Sequence, residues 1–354
     1  MNHYYDDLEV RDAAARAAAL EMDLPVQIAC ARGLPGYAES LADADPEAIT
    51  SVAALADLPV LRKSDLVALQ KADPPFGGLI TLDVSHLDFV FQSPGPIYEP
   101  GSRAKDWWRM ARFLRAAGIT SQDIVQNCFG YHMTPGGQMF ESGAAALGAT
   151  VFPAGTGQTA LQAEAAAAIG ATAYAGTPDY LKTILEAGDA AGLTLGFKKA
   201  VVSGGALFPS LRAYYADRGI ACLQCYATAD VGLIAYESPA MEGMIVDERV
   251  IVEIVTPGTG DPVPEGEVGE VLVTALNPDY PLIRFATGDL SAVLPGQSPC
   301  GRTNMRIKGW MGRADQTTKV KGMFVRPEQV ADLVRKTAGV ERIRVIVDRE
   351  GSQD

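Results

Sequence analysis

Basic residues are in deficit. Thirty Lys and Arg stand against 43 Asp and Glu, a formal net charge of -13. A surface of that sign repels phosphate backbones and anionic headgroups, which argues against nucleic acid and membrane surfaces as partners. No apolar run reaches the roughly 18 residues that a membrane-spanning helix needs, and Met1 to Asp12 is acidic where a secretory signal would be basic and then apolar. Cysteines are few and odd in number, at five, which suits a reducing compartment, and so the cytoplasm, better than a disulfide scaffold. Cys222 and Cys225 form a lone Cys-x-x-Cys without the second pair a zinc site needs, and read as small buried thiols on a strand. Aromatics are sparse at 7%, while 48% hydrophobic and 21% charged residues make an ordinary folded globular composition. A chain of 354 residues exceeds what one hydrophobic core usually organises.

The first seventy residues predict helices at Arg11 to Met22 and Pro46 to Ala56, and another is expected from Gly101 to Gly118, where Trp107, Met110, Ala111 and Leu114 recur at helical spacing and Gly118 stands as a cap. Short apolar runs then alternate with helices: Ile124 to Phe129, a glycine-containing loop, Ala144 to Phe152, a helix from Thr159 to Ile169, and Thr172 to Ala175. Lys199 to Ser203, a helix from Pro209 to Asp217 and Ile220 to Tyr226 repeat the unit. Such alternation predicts a mostly parallel sheet, whose ligands gather at the carboxyl ends of strands. Val250 to Val255 and Glu270 to Thr274 then predict an antiparallel hairpin. Lys319 to Val325, a helix from Pro327 to Thr337 and Ile343 to Val347 begin a further unit.

Several modest motifs follow one another in order: Ser203-Gly-Gly-Ala206, Tyr226-Ala-Thr-Ala-Asp230, Pro281-Leu-Ile-Arg-Phe-Ala-Thr-Gly-Asp289, Gly312-Arg-Ala-Asp315 with Lys319-Val-Lys-Gly322, and Phe324-Val-Arg-Pro-Glu-Gln-Val330. In this order they resemble the adenylate-forming acyl-CoA ligases. Tyr4-Tyr-Asp-Asp-Leu-Glu9 and Leu58-Pro-Val-Leu-Arg-Lys-Ser-Asp65 make the chain similar to the phenylacetate-CoA ligase branch over nearly its whole length.

The resemblance implies an α/β adenylate-forming fold. A large N-terminal domain would span 1–312, made of a helical cover (1–75), an α/β part (76–235) and a β-rich subdomain (236–312), and the start of a small α+β lid would span 313–354. It implies ATP, giving AMP, with Mg²⁺ and coenzyme A, and an acid substrate expected to be aromatic. Asp289 would accept hydrogen bonds from ribose hydroxyls. Ser203, Gly204, Gly205 and Ala206 would pass close to the purine, because glycine lets a backbone approach a flat ring. Tyr226 would stack on adenine beside Ala227, Thr228 would offer its hydroxyl to a phosphate, and Asp230 would hold Mg²⁺. Arg313 and Asp315 would mark the hinge about which a lid exchanges two half-reactions. Asn127 to Gly137 resembles the acyl pocket, with Phe129, Tyr131, His132 and Gly137 lining it. A monomer and a homodimer both fit the Ala-rich helices and acidic surface.

One motif departs from the family. Where relatives carry a Ser/Thr/Gly loop ending in Gly-Lys-Pro, this chain reads Gln92-Ser-Pro-Gly-Pro-Ile-Tyr-Glu-Pro100. Pro94 and Pro96 remove donors, and Glu99 stands as an anion in place of the lysine. The expectation is weakened phosphate binding, hence an alternative in which the protein holds AMP, an acyl-adenylate or an aromatic acid as an accessory or regulator. Asp289→Ala is expected to abolish nucleotide binding with little loss of stability.

Overall fold

The structure, a computed structural model, describes residues 4–314, the backbone of two strands at 318–320 and 323–325, and positions 336, 337, 340, 343 and 345. Helix α1 (Ala13–Arg32) begins where the Asp12 side chain accepts the Ala15 amide at 2.7 Å, satisfying one of the amides a helix start leaves open. It runs on past Met22 and through Pro25 because Leu24, Ile28 and Ala31 are buried in the largest apolar cluster, and such packing outweighs local propensity. The expected helix from Pro46 to Ala56 is instead a 3₁₀ turn, Pro46–Ala48, and a short helix α2 (Val52–Leu55) restarted by the Ser51 cap. Strand β1 (Leu61–Arg62), helix α3 (Lys63–Ala72) and the hairpin β2 (Phe89–Ser93) and β3 (Ile97–Gly101) follow.

Between Gly101 and Gly118 only α4 (Ala111–Ala116) is helical. Asp106 and Arg109 adopt left-handed conformations, φ 53° and 65°, and the Asp106 carboxylate accepts the Ala111 amide at 3.1 Å. Trp107, one of the residues whose spacing suggested a helix, packs edge to face against Trp108 within that turn. Gly118, at φ 81°, closes α4 as expected.

The alternating part comprises β4 (Ile124–Asn127), α5 (Gly136–Ala146), β5 (Thr150–Phe152), α6 (Thr159–Ile169), β6 (Ala173–Gly176), α7 (Pro178–Ala190), β7 (Lys199–Val202), α8 (Pro209–Asp217) and β8 (Ala221–Thr228). Helices α6 and α8 occupy the spans read from sequence, whereas α7 was not foreseen and α5 replaces a loop and the start of an apolar run. The glycines that suggested a loop open α5. A Cβ on Gly137 would lie 2.7 Å from the Tyr131 ring, so glycine here lets Tyr131 lie against the helix.

Next come β9 (Gly232–Tyr236), β10 (Met244–Val246), β11 (Val250–Val255), β12 (Gly269–Ala275), β13 (Phe285–Ser291), β14 (Val293–Leu294) and β15 (Arg306–Ile307). The large sheet has the order β14-β15-β10-β9-β8-β7-β6-β4-β5, parallel from β5 to β8 and antiparallel beyond. It passes without a break through residue 235, where the sequence suggested an inner boundary. A second sheet, β1-β13-β12-β11, contains the expected β11–β12 hairpin and takes β1 from the helical cover, parallel to β13. Cover and β-rich part therefore share one core, which joins Leu24 and Ile28 of α1 to Val271 and Val273 of β12. Past the hinge segment, β16 (Thr318–Val320) and β17 (Met323–Val325) form a hairpin. Among the described residues, no helix is long and apolar enough to cross a membrane.

Candidate active site

The carboxyl ends of β4, β7 and β8 carry most of the residues singled out by sequence. At β4, Asn127 donates through Nδ2 to the Tyr131 hydroxyl and the Gly137 carbonyl, both at 2.8 Å, and so fixes the 128–137 turn. Phe129 stacks on Phe140, ring centroids 4.3 Å apart. Burial, and then the Glu141 carboxylate, push the Tyr131 hydroxyl above its ordinary range. His132 is exposed. At β7, Ser203 donates to the Cys225 carbonyl at 3.1 Å and Gln224 to the Gly205 carbonyl at 2.8 Å. Gly204 has φ 71°, and a Cβ there would sit 3.8 Å from both Phe129 and Thr177, so the Ser203 to Ala206 turn adjoins the Phe129 turn. At β8, a register shift between Tyr226 and Ala227 precedes Thr228, whose Oγ1 accepts the Val231 amide at 3.2 Å.

Asp289, on β13, meets this edge directly. Its Oδ2 accepts the Tyr226 hydroxyl at 2.8 Å, and its Oδ1 accepts Trp310 Nε1 at 3.0 Å and Arg313 Nη1 at 3.1 Å. Burial, and then the Asp289 charge, raise Tyr226 well above the usual phenol range, so the proton stays on its oxygen and points at the carboxylate. The Tyr226 ring is only 8% exposed and packs in the core, which leaves little face for the adenine stacking expected of it. Backbone pairing brings the hinge-side residues here: Leu290 donates to Gly312, Met311 to Leu290 and Ala314 to Gly288. Gly288 makes room, since a Cβ would lie 2.7 Å from Arg313 Nη2. Asp315 lies outside the described residues.

Asp230 has a partner that its expected metal role did not include. Lys63 Nζ donates to Oδ2 at 2.6 Å, while Oδ1 is buried without a partner among the described residues. Burial, the largest single influence, lowers the Lys63 pKa, but the Asp230 charge and hydrogen bond together with the further carboxyl nearby outweigh it, and the ammonium is favoured. Glu99, the departure in the phosphate motif, is fully buried beside this pair and accepts from Ser93. Burial first, and then the Asp230 charge, raise its carboxyl to about 8. It is therefore largely neutral at pH 7 and points inward, which corrects the expectation of an anion repelling phosphate. The Cys222 and Cys225 thiols are free and buried, as read from sequence. A cavity of about 320 Å³ lies nearby, lined by Phe89, Arg103, Asp106, Trp108, Gln138 and Glu141 among others, and none of the four expected pocket residues lines it.

No family model matches the chain. The phenylacetate-coenzyme A ligase of Thermus thermophilus is 30% identical over 344 residues, covering 91% of this chain and 75% of that enzyme. The chain belongs to the phenylacetate-CoA ligase family. Its namesake from Aromatoleum evansii is 29% identical, covering 87% of the chain and 72% of the enzyme. A 2-hydroxyisobutyryl-CoA ligase, solved with 2-HIB-AMP and CoA in the thioesterification state, superposes with a TM-score of 0.85 at 26% identity, over 96% of this chain and 76% of that one. The adenylate-forming ligase fold follows for this family member. Sequence reading passed over two of its residues. Lys63 lies in the Leu58 to Asp65 stretch that marks the family resemblance, and Trp310 precedes the hinge motif by two positions, a proximity that is the available signal.

Proposed function

We propose that this phenylacetate-CoA ligase family member joins a carboxylic acid to coenzyme A in two half-reactions. A carboxylate oxygen attacks the α-phosphorus of ATP and pyrophosphate leaves. The coenzyme A thiol then attacks the acyl carbon and AMP leaves. The observation that carries the reading is the meeting of Tyr226, Arg313 and Asp289 at the end of β8, beside the glycine turn after β7. The solved 2-hydroxyisobutyryl-CoA ligase, with its acyl-adenylate and CoA, supports it.

In this reading Asp289 takes the ribose, the Ser203 to Ala206 turn flanks the base with Ala227 nearby, and Thr228 keeps its hydroxyl proton for a phosphate oxygen. Phe129 and Tyr131 receive an aromatic acid, with Gly137 making room for the tyrosine. His132 stands at the exposed rim. Asp315 is the pivot. Magnesium does not fit Asp230 as it stands here, because its side chain has no exposure and Lys63 occupies one oxygen. A cation arriving with ATP is accommodated by phosphates and water. Five free cysteines accord with a cytoplasmic setting. A neutral Glu99 removes charge repulsion from the case for a merely accessory role, while the donors missing at Pro94 and Pro96 stay part of it.

Calorimetry with AMP and with ATP·Mg²⁺ should show binding of both. Pyrophosphate exchange should then appear with at least one member of a panel that includes phenylacetate and 2-hydroxyisobutyrate. Silence across that panel, with AMP alone bound, would return the reading to the accessory role.

A further inference from the structure

The cavity of about 320 Å³ beside the open end of the β2–β3 hairpin has a volume at the lower end of the range that holds small ligands. None of the residues proposed above for the nucleotide or the acid lines it. One wall is the 102–108 turn. The other is α5, whose Gln138, Glu141, Ser142 and Ala145 are spaced to share one helix face. The turn is fixed before any ligand arrives: Asp88 accepts the Arg103 amide at 2.6 Å, Asp106 accepts the Ala111 amide at 3.1 Å, and Arg109 pairs with Asp247 at 3.2 Å. Asp106 and Arg109 are both left-handed without being glycine, a conformation that persists only where the surroundings enforce it and that gathers beside ligand sites.

The two walls differ in charge. On the turn, Lys105 is exposed and has no hydrogen-bond or ion-pair partner among the described residues. Arg103 covers the Phe89 ring at 4.7 Å and pairs with Asp88 at 3.3 Å. On α5, the half-buried Glu141 accepts the Tyr131 hydroxyl, which takes one of about four acceptor sites on a carboxylate. Burial raises Asp106 to about 7, so at pH 7 it is only partly charged and Glu141 is the principal anion of the cavity. A plain acid would be opposed by Glu141 and a plain amine by Lys105. A ligand carrying both an ammonium and a carboxylate gives each wall its opposite charge.

We propose that this cavity binds an aromatic α-amino acid as its zwitterion, with the carboxylate toward Lys105, the ammonium toward Glu141 and the ring among Phe89, Trp108 and Ala145. The site does not rest on the nucleotide reading of the Asp289 edge. Calorimetry on the whole chain measures L-phenylalanine, L-tyrosine, phenethylamine, which lacks the carboxylate, and 3-phenylpropionate, which lacks the ammonium. The Ala145→Phe variant fills the cavity from an exposed position, and so defines which heat belongs to it.

At least one of the two amino acids should bind the wild type with millimolar affinity or better, and each singly charged analogue should bind this site about tenfold more weakly or worse. Ala145→Phe should abolish amino acid binding with the melting temperature little changed. Glu141→Gln should weaken it about tenfold, and Lys105→Met, at an exposed position, severalfold. Silence with both amino acids, binding that persists in Ala145→Phe, or affinity unaltered in both Lys105→Met and Glu141→Gln overturns the site. A singly charged analogue that binds as tightly as the amino acid, and is likewise lost in Ala145→Phe, overturns the zwitterion as its ligand.

Discussion

A single buried carboxyl changes how the phosphate motif of this ligase is understood. Glu99 looked like a misplaced anion, but burial and Asp230 raise it to about 8, against about 4.3 for an unfolded glutamate. Between those values the folded protein holds a proton that the unfolded chain has released. Stability therefore falls as pH rises from about 4.5 to about 8 and levels off above. Urea unfolding at pH 5 and pH 8 should show the wild type losing on the order of 3 kcal/mol more than Glu99→Gln across that interval. Asp106, raised by burial to about 7, contributes equally to both proteins and cancels. Equal slopes in the two would show Glu99 to be ionised throughout. Asp289 calls for a second revision at this scale. It accepts from Tyr226, Trp310 and Arg313, so Asp289→Ala should abolish AMP binding and also cost about 1–3 kcal/mol, because buried donors lose their acceptor. Asp289 lies within β13, and a strand carboxylate with three donors costs more to remove than the small loss expected from sequence.

Among the elements, those whose evidence is local were legible: α6 and α8 have the predicted limits, because an alanine run ending at Gly170 and a proline opening at Pro209 need no distant partner. The stretch from Gly101 to Gly118 was misread because apolar spacing does not reveal that Asp106 turns left-handed and caps from inside the run. The same limit applies at Gly136 and Gly137, where glycine serves the packing of Tyr131 rather than a loop. The hinge-side segment is held to β13 through Gly288, whose φ is 74° and whose Cβ position is taken by Arg313. Gly288→Ala combines left-handed strain with that clash, and should cost about 1–3 kcal/mol. It should also weaken AMP at least as much as Arg313→Ala does. A variant with unaltered AMP affinity in calorimetry would detach this segment from the nucleotide site.

Across the whole molecule, the N-terminal helix and the β-rich part behave as one body. Leu24 is fully buried in the cluster that includes Val271 and Val273, and Gln27 Nε2 reaches the Ala275 carbonyl at 2.8 Å. Leu24→Ala should therefore destabilise by about 2–5 kcal/mol, and denaturant unfolding followed by far-UV and near-UV signals should move together. A shift confined to helical signal would make the cover a separate layer. The sequence by itself determined the family, the alternation that builds the parallel sheet, and the order of the nucleotide motifs, because each rests on neighbouring residues. Only the tertiary structure decided that Lys63 pairs with Asp230 across 167 positions, that Tyr226 and Asp289 meet across 63, and that Glu99 is enclosed. Those contacts depend on strand order and on the water excluded around them, and it is that exclusion that sets which carboxyl is charged and which oxygen is left to meet a ligand.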